Sequence, residues 1–77
     1  METEKYKTKD LAEASALLTR SQKLIDIERE DKICWFVFEN KRSCEKIATD
    51  FWFGICMVNA KNYYQAMVTL KNRIFST

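Results

Sequence analysis

Asp26 and Glu28 stand two positions apart on one face of an alternating stretch, where paired carboxylates could hold a divalent cation or divide acid and base roles. On a half-exposed strand the same pair is more simply a solvated face. Other chemistry lacks its parts. The chain has no His, and no Ser or Cys lies beside a general base in a recognisable motif, so nucleophilic catalysis is not expected. Gly54 is the only glycine, which excludes a Gly-rich phosphate loop. Cys34, Cys44 and Cys56 are odd in number and without a CxxC spacing, so a zinc site would need a fourth ligand of weaker type. Each lies within an apolar pattern and reads as a reduced, buried thiol. No enzyme, cofactor or metal site is expected.

Two surfaces could bind rather than react. Trp52, Phe53 and Tyr64 fall beside, not on, the apolar stripes of their helices. If they emerge together they form an aromatic patch suited to a protein partner or to a homodimer, and otherwise they wrap the edge of the core. The last helix presents Lys61, Asn62, Gln65, Thr69, Asn72 and Arg73 opposite its apolar stripe, donors and positive charge without a carboxylate. With Lys41, Arg42 and Lys46, such a face could meet nucleic acid, although it also serves as a plain solvated helix back or a seat for an acidic protein.

The elements that must position these residues follow from periodicity. Tyr6 to Thr8 is a short extended stretch; Asp10 then caps a helix with Glu13 in its third position, and Leu11, Ala12, Ala14, Leu17 and Leu18 supply the stripe up to about Thr19. Arg20-Ser21-Gln22-Lys23 is a polar connection without the Gly that commonly ends a helix. From Leu24 to Arg29 the chain alternates, with Leu24, Asp26 and Glu28 on one face and Ile25, Ile27 and Arg29 on the other. After Glu30-Asp31, the stretch Lys32 to Glu39 is apolar on both faces, which places it mid-sheet with helices on one side and cover on the other. The turn lacks Asn-Gly or Asp-Gly, so a looser or longer loop is expected.

Asn40 caps a helix with Cys44, Ile47, Ala48 and Phe51 on one face and Gly54 as its stop. Ile55 to Val58 reads as a short added strand, and Asn59 caps a last helix with the stripe Tyr63, Met67, Leu70 and Ile74, bordered by Ala60, Ala66 and Phe75. The order β-α-β-β-α-β-α gives an α+β fold: an antiparallel sheet of three to four strands packed against about three helices.

Size and composition bound the rest. The chain has 77 residues, 47% hydrophobic and 31% charged, with no Pro, the profile of one globular domain spanning 1–77 rather than a disordered tail. Its ten aromatics belong first to the core. The net charge of +2 is too small to argue for nucleic acid, yet residues 51–77 carry Lys61, Lys71 and Arg73 with no acid. No apolar run approaches the roughly 20 residues of a membrane helix, and Met1-Glu2-Thr3-Glu4-Lys5 lacks the apolar run of a secretory signal, so the expected setting is cytoplasmic.

Several stretches are familiar: Tyr6-Lys7-Thr8-Lys9-Asp10-Leu11, Phe36-Val37-Phe38-Glu39, Phe51-Trp52-Phe53-Gly54, Val58, and Tyr63-Tyr64-Gln65-Ala66 with Leu70-Lys71. Together they resemble a family of small single-domain proteins of unknown function found in bacteria and their phages and prophages, over nearly the whole chain. Members often carry a Gly after the first helix, where this chain has Arg20 and Ser21. The resemblance implies a mobile-element context and supplies no catalytic or binding residues. Small accessory proteins of that setting commonly block a host protein or bind nucleic acid. The expected function is therefore a non-enzymatic protein-binding module, an inhibitor of a host defence or regulatory protein in the manner of an anti-CRISPR, with a nucleic-acid-binding accessory protein as the alternative.

Overall fold

The structure is a computed structural model that describes residues 4–76, so Met1, Glu2 and Thr3 of the N-terminal charge pattern lie outside the described residues. The elements are β1 (Tyr6–Thr8), α1 (Leu11–Thr19), β2 (Leu24–Glu30), β3 (Ile33–Phe38), α2 (Lys41–Trp52) and α3 (Ala60–Ser76). They form an α+β sandwich of a three-stranded antiparallel sheet, in the order β1-β3-β2, with a layer of three helices. As its two apolar faces require, β3 takes the centre.

Phe36 and Phe38 point from β3 into the helical layer, where Ala14 and Leu17 of α1, Cys44 and Ile47 of α2 and Leu70 of α3 close the core around them. α2 and α3 each pack on α1 rather than on each other. No described element covers the opposite sheet face. There Val37 is buried in the row it forms with Lys7 and Asp26, while Lys7 bridges to Glu28 at 2.8 Å and the Lys9 ammonium stands 6.0 Å from the Trp35 ring centre. Expected as covered, this face is instead completed by charged side chains lying across two apolar ones.

The hairpin corrects two further expectations. Its loop is two residues, Asp31-Lys32, with Glu30 paired to Ile33. Asp31 takes the left-handed φ of 54° that tight hairpin turns require, a conformation Asp tolerates better than most residues. A register shift between Leu24 and Asp26 then adds one residue to β2, which turns Leu24 onto the helical side with Ile27 and leaves Ile25 exposed. Leu24 therefore does not share the face of Asp26 and Glu28.

Each helix end has a local cause. Asp10 caps α1, its Oδ1 accepting from the Glu13 N–H at 2.8 Å, but the Glu13 carboxylate does not return to the cap as a full capping box would have it. At the other end Ser21 adopts φ 69°, and the Ser21 and Gln22 N–H groups donate to the Leu18 and Leu17 carbonyls at 3.1 and 3.0 Å. That is a Schellman closure made by Ser in the position Gly usually holds. The end of α2 repeats it with Gly54 at φ 78°, where Gly54 and Ile55 donate to Phe51 and Asp50. Asn40 and Asn59 accept from the Ser43 and Asn62 N–H groups as caps of α2 and α3. Residues 55–58 join α2 to α3 and add no strand, so the sheet has three strands.

Candidate interaction surface

The last turn of α2 and the chain that follows it put four exposed large apolar side chains, Trp52, Phe53, Ile55 and Met57, on one continuous stretch. Phe51 is half-buried and meets Trp52 edge to face, with ring centroids 5.2 Å apart. The Trp52 Nε1–H donates to Glu13 Oε1 at 2.6 Å, and the Tyr6 hydroxyl donates to Glu13 Oε2 at 2.7 Å. Glu13 is buried, in the first turn of α1, where the helix N-terminus and two short hydrogen bonds compensate its charge. These three residues line an open groove of about 590 Å³ with Glu45, Ala48, Thr49 and Phe53.

The carboxylate marks its neighbours electrostatically. Burial, then the hydrogen bond and charge of Glu13, raise the Tyr6 hydroxyl well above the usual tyrosine range. Burial followed by the Glu13 charge pushes the Cys44 thiol up to about 11. Cys34 and Cys56 are half-buried, and all three cysteines are free.

Of the residues singled out from sequence, Trp52, Phe53 and Tyr64 are 60%, 77% and 67% exposed. Trp52 ends α2, Phe53 caps it, and Tyr64 stands in the first turns of α3, where its neighbour Tyr63 is held inward by a 3.1 Å hydrogen bond to the Ala12 carbonyl. Ile55 and Met57 are also exposed while Cys56 and Val58 turn inward. Further along α3, Val68 and Phe75 continue the line of Tyr64 at helical spacing, and Phe75 is largely exposed. The aromatics were expected first in the core, yet only Phe36 and Phe38 are fully buried.

Lys41, Arg42 and Lys46 begin α2, with the acid Glu45 among them, whereas Lys61, Gln65, Asn72 and Arg73 lie exposed along α3. The Asp26 and Glu28 carboxylates part company. Asp26 Oδ1 accepts from the Ile27 N–H, and Glu28 is engaged by Lys7 in a hollow of about 200 Å³ lined by Lys7, Glu28, Glu30 and Trp35.

The profile of the DUF5659 family, a domain of unknown function, matches residues 3–76. The chain belongs to the DUF5659 family. No curated protein and no solved structure matches it. In this DUF5659 chain, sequence reasoning missed Glu13 as the anchor of Trp52, because its third helical position already had a capping explanation. It also missed Ile55, Met57 and Phe75 as exposed. The alternation of 55–58 was the available signal for the first two; strand periodicity shows which side chains share a face but not whether that face is covered. No helix among the described residues is long and apolar enough to cross a membrane.

Proposed function

We propose that this chain is a non-enzymatic module that binds another protein through Trp52, Phe53 and Tyr64. The observation that carries the reading is an exposed indole fixed from below: Glu13 holds the Trp52 N–H while most of the ring remains in solvent. A ring oriented before binding loses little conformational freedom on docking, and aromatic anchors of this kind supply most of the energy of many interfaces. The family resemblance adds a phage or prophage setting, in which such a module acts in the cytoplasm as an inhibitor of a host defence or regulatory protein, as an anti-CRISPR does. Affinity capture from bacterial lysate with the wild-type chain and with the Phe53→Ser/Tyr64→Ser variant tests it. The reading expects a specific protein retained by the first and lost by the second; recovery by both alike contradicts it.

The acid-free α3 supports a second reading, a nucleic-acid-binding accessory protein using Lys61, Gln65, Asn72 and Arg73 with Lys41, Arg42 and Lys46. Contact with three phosphates through Lys61, Lys71 and Arg73 would give a salt slope of about −2.7 on duplex DNA. Titration across salt concentrations decides it, since absent or salt-independent binding removes this reading.

A further inference from the structure

The groove beside Trp52 carries negative charge that no other part of the described chain answers. One wall is α2, where Glu45, Ala48, Thr49 and Trp52 recur at helical spacing and Phe53 continues the line past the helix end. Tyr6 of β1 and Glu13 of α1 complete the lining of an open space of about 590 Å³. Two carboxylates line it, and no Lys or Arg does. Among the described residues neither Glu13 nor Glu45 forms an ion pair, although Lys41, Arg42 and Lys46 stand on the same helix as Glu45.

The two acids differ in setting. Glu13 is 6% exposed and accepts one hydrogen bond at each oxygen, from Tyr6 and from Trp52. Both donors are neutral, so they fix the charge in place without cancelling it. Glu45 is exposed and can follow a ligand. Tyr6 feels both acids: burial raises its hydroxyl most, then the hydrogen bond and charge of Glu13, with Glu45 adding to them.

We infer that this groove receives an arginine side chain of the protein partner, its guanidinium set between the rings of Trp52 and Phe53 and the carboxylates of Glu13 and Glu45. The inference rests on the reading of this surface as a protein interface and names the group its partner presents there. Charge complementarity selects a cation, because two carboxylates beside an apolar wall draw positive charge in and turn negative charge away. The aromatic wall selects guanidinium over ammonium. Guanidinium is planar, weakly hydrated and stacks on rings, whereas an ammonium is a compact, strongly hydrated charge. A divalent metal is the poorer match, since it wants several oxygen ligands and no three metal-ligating side chains converge among the described residues.

Titration of the full chain with the blocked peptide acetyl-Gly-Arg-Gly-amide, followed by nuclear magnetic resonance at the Trp52 indole N–H, tests the site. Trp35→Phe tells the two indole signals apart. The expected result is a saturable shift of that signal, of roughly millimolar strength for a single side chain, and none with the neutral citrulline peptide. Glu45→Gln is expected to weaken the arginine peptide about threefold and Glu45→Lys about tenfold, with the thermal midpoint unchanged in both. Equal shifts with citrulline, no saturation with arginine, or Glu45 variants that bind as the wild type does would each overturn the proposal. The interface reading is judged separately. A captured protein lost on Phe53→Ser/Tyr64→Ser but held equally by Glu45→Lys overturns the arginine site and retains the interface. Capture unaffected by the double change contradicts the interface itself, whatever the peptide does.

Discussion

Trp52 on α2 donates its indole N–H to the buried carboxylate of Glu13 on α1 at 2.6 Å, so the most exposed end of one helix is tied to the first turn of another. With the Tyr6 bond from β1, one side chain joins three elements. Removing it leaves two donors without their acceptor. Glu13→Ala is therefore expected to lower stability by about 2 to 4 kcal/mol, and Trp52→Phe by about 1 to 2 kcal/mol, in urea unfolding. Changes below about 0.5 kcal/mol would mean that water replaces the carboxylate at no loss.

Two helix ends use the same closure with different residues, which makes opposite substitutions informative. Ser21→Gly removes the Cβ from a left-handed position and is expected to stabilise the chain by about 0.5 to 1 kcal/mol. Gly54→Ala meets no neighbouring atom but must hold φ 78°, so it is expected to destabilise by about 1 kcal/mol. Thermal midpoints moving the same way in both variants contradict this account.

Alkaline pH acts on the core through its raised groups. Burial lifts the Cys44 thiol from its ordinary 9.0 to about 11, and burial also raises Tyr6 and Tyr63. The folded chain holds these protons more tightly than the unfolded chain. The stability Cys44 contributes is complete below about pH 9 and is lost as pH rises through about 11, and the tyrosine contributions are lost at higher pH still. Urea midpoints should fall across that window, and Cys44→Ala should reduce the early part of the fall. A flat profile contradicts it.

The same burial separates the three thiols. Cys44 is fully buried and kept protonated, while Cys34 and Cys56 are half-exposed. Alkylation of the native chain near neutral pH is expected to modify Cys34 and Cys56 first and Cys44 only on unfolding. Mass spectrometry of the digested chain reads the order directly.

Local signals carried most of the architecture. The double-sided apolar run of β3 placed it at the centre of the sheet, and Asp10, Asn40, Gly54 and Asn59 marked their helix ends where the structure has them. What escaped depended on backbone or tertiary facts. A single inserted residue at Ile25 turned Leu24 to the other face, and Asp31 supplied a positive φ without the Gly that signals a tight turn. Residues 55–58 have strand periodicity, but pairing needs a free edge beside them, and that is set by the whole fold. At the candidate site, Trp52, Phe53 and Tyr64 were legible as lying off their stripes, whereas the bond from Glu13 to Trp52 spans 39 positions and has no local trace.

The central claim is that, while Trp52 serves both the fold and the surface, Phe53 and Tyr64 serve binding rather than the fold. Equilibrium unfolding of the Phe53→Ser/Tyr64→Ser chain tests it most directly. Side chains 77% and 67% exposed, with no hydrogen-bonding role, should change stability by no more than about 0.5 kcal/mol each. A loss above about 2 kcal/mol would place the rings in the service of the core and contradict the claim.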